Sequence, residues 1–216
     1  MLRAGTVVAG YNRDHRSVTM PNSANELVEK MGELRQRGVN HISIVAHSMG
    51  GLVAKAAMDR IANEGKASEY RRVELHAFGT PWGGYALADI LRHLPGTESV
   101  SMAIGYPMGP DIGPGSDFMK SLSAPLPANF ELFSYLGSND DVARPETSAT
   151  RSRYAEIEAI AKSIVIVEEC AHMDYVRADS ELIDISRRLA AGGLDAGSEH
   201  LVMTRRHRVT ALSGGG

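Results

Sequence analysis

The stretch Ile44-Val45-Ala46-His47-Ser48-Met49-Gly50-Gly51-Leu52-Val53 decides the fold. Upstream, His41 to Ala46 is a β-branched run that reads as a buried strand. Downstream, Leu52, Val53, Ala56, Ala57 and Ile61 recur at helical spacing toward a stop near Gly65. A serine between a strand and a helix, flanked two residues away by Ala46 and Gly50, fits a turn too tight for larger neighbours. Such a turn lifts the hydroxyl above the sheet and places the next amide, that of Met49, at a helix start where it can bind an oxyanion.

Outward from this turn, strands alternate with helices. Thr6-Val7-Val8 is a short strand ending in Gly10. Ser23-Ala24-Asn25-Glu26 matches a capping box, with Leu27, Met31 and Leu34 as the apolar stripe and Gly38 as the stop. Val73 to Phe78 is a strand followed by Gly79-Thr80-Pro81-Trp82-Gly83-Gly84, and Ala86 to Leu94 reads as a helix. From Pro95 to Pro127 the pattern dissolves into Gly, Pro and Met. Phe130 to Leu136 and Ser163 to Val167 are further strands, and Asp179 to Ala190 a last helix. The alternation predicts an α/β protein with a mostly parallel sheet covered by helices on both faces. The expected organisation is one domain over residues 1–192, with 95–127 a possible cap or insertion, and a weakly ordered tail over 193–216. In such sheets the chemistry gathers at the carboxyl ends of the strands.

Bulk properties narrow the classes. The 216 residues carry a formal net charge of -3, which argues against a nucleic-acid partner, and Arg205-Arg206-His207-Arg208 reads as a solvated cluster. Cys170 is the single cysteine, so there is no internal disulfide or thiolate cluster, and no His/Cys/Asp grouping has metal-ligand spacing; no metal or cofactor is expected. No apolar run is long enough to span a membrane. Compartment and oligomeric state stay open; if Met1 is the true start, the chain is expected in the cytoplasm.

The Ile44–Val53 stretch resembles the nucleophile elbow of bacterial lipases and of the group related to GPI inositol-deacylases, within the α/β-hydrolase superfamily, with Ala46 at the first position of the Gly-x-Ser-x-Gly pattern. Phe78 to Gly84 and Pro114 to Leu122 are similar to segments that follow in those enzymes. The resemblance covers roughly Thr6 to Leu189 and implies a serine esterase or lipase acting through an acyl-enzyme. It makes Ser48 the nucleophile. The acid falls in Gly137-Ser138-Asn139-Asp140-Asp141, with Asp140 preferred and Asp141 its alternative. His172, after the strand Ser163–Val167, is the base; His47, beside the nucleophile, is expected to point elsewhere. Met102, Met108, Phe118 and Met119 are candidate acyl-pocket residues, with Thr80 and Trp82 as possible walls. The implied partner is a small-molecule ester or a lipid. Thioesterase, amidase or acyltransferase activity on the same fold, or a non-catalytic hydrolase-like module, remain the alternatives.

The amino-terminal part departs from the pattern. The family draws a second oxyanion donor from a His-Gly loop, and the nearest candidate is Ala9-Gly10-Tyr11. Only 38 residues separate Gly10 from Ser48, too few for the two helices and strand the family places there. A second register fits better: Thr6 to Tyr11 is the following strand, and the strand carrying the donor loop is expected upstream of Met1, so the chain reads as amino-terminally truncated with its early strands missing. Loss of one donor is worth about 3 kcal/mol in the transition state.

Overall fold

The computed structural model describes residues 19–84, 109–140, 142–143, 148–176 and 209–211. The expected strand Thr6–Val8, the donor loop near Gly10, the helices Ala86–Leu94 and Asp179–Ala190, and Asp141, Met102 and Met108 lie outside these residues.

Among the described residues, five strands form one sheet in the order β1-β2-β3-β4-β5. β1 (His41–His47), β2 (Arg72–Phe78), β3 (Phe130–Gly137) and β4 (Ser163–Val167) are parallel to their neighbours. β5 (Val209–Ala211), in the stretch expected as a tail, runs antiparallel along Val165–Val167. The parallel core is therefore the predicted one, and strand ends match the sequence reading to within a residue.

The helices explain why the sheet is buried. α1 (Met20–Gln36) starts four residues earlier than a cap at Ser23 would place it, because Thr19 takes the cap: its hydroxyl accepts from Asn22 N at 3.2 Å, and Pro21 occupies the first turn. Proline is favoured there, where the missing N–H has no helical acceptor in any case. Ser23 is instead buried inside the helix. α2 (Met49–Asn63) follows the serine turn directly. Both helices end in the same glycine motif. Gly38 has φ 85 and Gly65 φ 70, with Val39 N donating to Leu34 O and Lys66 N to Ile61 O, each at 3.0 Å.

Met20, Ala24 and Met31 of α1 pack with Leu52, Ala57, Met58 and Ile61 of α2 over Val73, Leu75 and Leu132 of the sheet. Each fully buried Leu, Ile or Met contributes roughly 1.5–3 kcal/mol. Part of the Gly/Pro-rich insertion joins this core rather than lying over it. Gly109–Ile112 form a 3-10 turn and α3 spans Asp117–Ser121, capped by Ser116; Ile112, Met119 and Leu122 are buried. Asp111 accepts from Met20 N at 2.8 Å, and Lys55 donates to Ala124 O at 3.1 Å, which ties the segment to α1 and α2.

α4 (Ser148–Ile160), between β3 and β4, was not foreseen. Its sequence shows little stripe, since only Tyr154 and Ile157 are seen to bury from it. Among the described residues no helix is long and apolar enough to cross a membrane.

Candidate active site

Four loops meet at the carboxyl edge of the sheet: those after β1 (Ser48), β2 (Gly79–Thr80), β3 (Asp140) and β4 (His172). Ser48 holds φ 55 and ψ -130, a conformation that costs a residue with a Cβ of order 1–3 kcal/mol. The turn is held from three sides. Ser48 N donates to Phe78 O at 2.9 Å, and Ser48 O accepts from Gly51 N and from the Thr80 hydroxyl, both at 3.1 Å. Met49 opens α2, so its amide has no acceptor within the helix.

The Ser48 hydroxyl lies 2.9 Å from Nε2 of His172. On the other side of that ring, Nδ1 is 3.1 Å from both carboxylate oxygens of Asp140. An ionised carboxylate only accepts, so Nδ1 carries the proton and donates, which leaves the Nε2 lone pair facing the serine. Asp140 is 1% exposed, and its Oδ1 also accepts from Val142 N at 2.9 Å and Ala143 N at 2.8 Å. Of the two candidate aspartates, Asp140 lies within reach of His172; Asp141 lies outside the described residues.

The acid and base loops are fastened to each other. Ser138 N donates to Val167 O at 2.9 Å, Asn139 N to Cys170 O at 3.2 Å, and Glu169 N to the Ser138 hydroxyl at 2.8 Å. Small residues permit the approach: a Cβ at Gly137 would overlap the Cys170 carbonyl. At Gly79, with φ 54, a Cβ would come within 2.7 Å of Asp140 Oδ2. Ala171 N donates to Asp174 Oδ2 at 2.9 Å, shaping the turn that carries His172. Tyr154 of α4 donates its hydroxyl to Ala143 O, so the unforeseen helix braces the acid loop.

The proposed pocket residues have other surroundings. Trp82 is 1% exposed and donates to the Ser134 hydroxyl at 2.9 Å, while Thr80 is wholly buried under the serine turn. Met119 is a core residue and Phe118 packs against that core. Phe118 also lines a cleft of about 690 Å³ with Pro21, Ala56, Asp59 and Asp111, to whose lining neither Ser48 nor His172 contributes. Trp82, Phe118 and Met119 pack into the scaffold, and Thr80 touches the serine turn through the Ser48 carbonyl; Met108 lies outside the described residues. Among the described residues no group of three or more His, Cys, Asp or Glu could hold a metal ion.

The arrangement combines a parallel sheet, a serine elbow at φ 55, a carboxylate on the loop after β3 and an imidazole on the loop after β4. This is an α/β-hydrolase fold. Residues 18–100 match the family described as "Putative serine esterase (DUF676)". No curated protein matches the chain. Among solved structures, it is similar to the lipase BlEst2 of Bacillus licheniformis in its propeptide form, at 22% identity and TM-score 0.42, over 56% of this chain and 27% of that one. It is also similar to a putative cell surface hydrolase from Lactobacillus plantarum WCFS1, at 13% identity and TM-score 0.49, over 81% and 64%. A third is MGS-MChE2, an α/β hydrolase from a metagenome of sediments of the lagoon of Mar Chica, at 16% identity and TM-score 0.49, over 84% and 74%. The chain thus spans about a quarter of the first relative and less than two thirds of the second.

Proposed function

We propose that the protein is a serine hydrolase that cleaves carboxylic esters, small-molecule or lipid, through an acyl-enzyme. The observation that carries this reading is the 2.9 Å approach of His172 Nε2 to a serine hydroxyl raised on a left-handed turn. An unassisted serine is a weak nucleophile, and an imidazole at this distance supplies the missing base.

In the first step Ser48 Oγ attacks the ester carbonyl carbon while its proton passes to His172 Nε2. Asp140 stabilises the imidazolium through Nδ1–H and keeps the ring in the right tautomer. The oxygen that becomes negative is drawn to the Met49 amide at the head of α2, where the helix dipole adds to the attraction. Collapse of the intermediate breaks the carbon–oxygen bond, and the alcohol leaves with the proton from Nε2. Water then attacks the acyl-enzyme by the same proton route and returns Ser48.

Reaction with an alkyl fluorophosphonate, followed by peptide mapping, tests the nucleophile: an adduct on Ser48 is expected in the wild type and none in Ser48→Ala. Hydrolysis of matched ester, thioester and amide panels then tests the acyl group. Absence of any Ser48 adduct in the folded protein overturns the reading, and a preference for thioesters or amides replaces its substrate class.

A further inference from the structure

His47, the residue before the serine, ends β1 on the strand face shared with Ser43 and Val45. Its Nε2 is 2.8 Å from the carbonyl oxygen of His172. A carbonyl can only accept, so the His47 ring must carry its proton on Nε2 and donate it. The two imidazole rings lie 4.8 Å apart between centroids at 40°, and the ring of the fully buried Tyr175 lies 5.8 Å from that of His47. The neighbours of His172 are tied among themselves, Ala171 to Asp174 and Cys170 to Asn139. The His172 main chain is anchored to the serine strand by His47.

We infer that His47 is a positioning residue, which fixes the His172 carbonyl by donation from Nε2 and backs its imidazole so that the base stays within reach of Ser48. This rests on the serine-hydrolase reading and adds to it a contact outside the triad. The geometry links base and nucleophile through one strand: Ser48 and His47 are adjacent in the chain, so any shift of the strand end carries both the hydroxyl and the anchor of its base. The charge state fits the task. Burial pushes the His47 imidazole below its ordinary value, with His172 adding to the shift, while Asp140 and the bond to the His172 carbonyl oppose it. A neutral His47 donates without setting a second cation beside the imidazolium that forms on His172.

The test follows the rate of fluorophosphonate labelling against probe concentration, which separates the maximal inactivation rate from probe affinity. His47→Phe keeps a ring and removes the donor. Its maximal rate is expected to fall roughly 30- to 100-fold, with probe affinity within about twofold, as a misplaced base predicts. His47→Gln places an amide donor close to the old Nε2 and is expected to recover to within about fivefold of wild type. An unchanged maximal rate in His47→Phe overturns the inference, as do equal losses in His47→Phe and His47→Gln with both proteins folded. Should His47→Phe fail to fold, His47→Asn, whose donor falls short of the carbonyl, takes its place with the same expected loss. A wild-type protein that does not label on Ser48 overturns instead the underlying serine-hydrolase reading, and that result is known before any substitution is made.

Discussion

The hydroxyl of Thr80 donates to the carbonyl oxygen of Ser48 at 3.1 Å, across a gap that only a glycine at position 51 leaves open. The serine turn is thus clamped from the loop after the neighbouring strand. A Cβ at Gly51 would overlap the Thr80 hydroxyl, and Thr80 is wholly buried with little room to retreat. Gly51→Ala is expected to destabilise the protein by about 1–3 kcal/mol in urea unfolding and to slow Ser48 labelling. Thr80→Val, which keeps the volume and removes the donor, is expected to lower stability by only about 1 kcal/mol.

The backbone of Ser48 gives a second outcome. At φ 55 and ψ -130 a glycine is unstrained, whereas alanine keeps the Cβ that opposes the turn. Ser48→Gly and Ser48→Ala both lose labelling, but the glycine variant is expected to be the more stable of the two by about 1 kcal/mol, the reverse of the order in a helix. Paired unfolding curves check the sign.

Asp140 accepts from His172 and from two backbone amides while almost fully buried. Asp140→Asn keeps the shape but offers Nδ1 a group that can turn its amide toward it, favouring the wrong tautomer. The maximal labelling rate is expected to fall by roughly 10³–10⁴. A loss below tenfold would mean that His172 is oriented by something else.

His76 supplies the pH dependence. It is 4% exposed, stacked on Phe133 at 4.7 Å, and burial pushes its imidazole down from 6.5 to about 4. The folded state therefore binds fewer protons than the unfolded chain between those values, so stability rises with pH through the window and is lost as pH falls from about 6.5 toward 4. At pH 5 the loss relative to pH 7 is about 2 kcal/mol from this group. His76→Phe is expected to show that much less acid sensitivity in urea unfolding at the two pH values.

The parts of the site written in local sequence were legible. Ser48 announces itself because the strand, the small neighbours and the helix adjoin it directly, and Asp140 and His172 follow β3 and β4 in the expected order. The start of α1 was misplaced because two capping signals compete within five residues; Thr19 with Pro21 prevails and Ser23 is buried. α4 left little trace, since the buried positions described on it, Tyr154 and Ile157, do not make a stripe, yet Tyr154 holds the acid loop. Of the candidate pocket methionines, Met119 is described and Met102 and Met108 lie outside the described residues. Their softness suits an adaptable pocket, but Met119 is fully buried in the core. The contact of His47 with His172 leaves no trace in the sequence, since nothing local tells over which face the loop after β4 folds.

The lacing of the β3 and β4 loops has a mechanical consequence. Because the chain at Ser138–Asn139 is stitched main chain to main chain against Val167–Cys170, carboxylate and imidazole ride on one platform. A ligand pressing on either loop would shift the platform whole, so the 3.1 Å spacing of His172 and Asp140 is kept. With His47 tying the same platform to the serine strand, the three side chains would yield as one body rather than one by one.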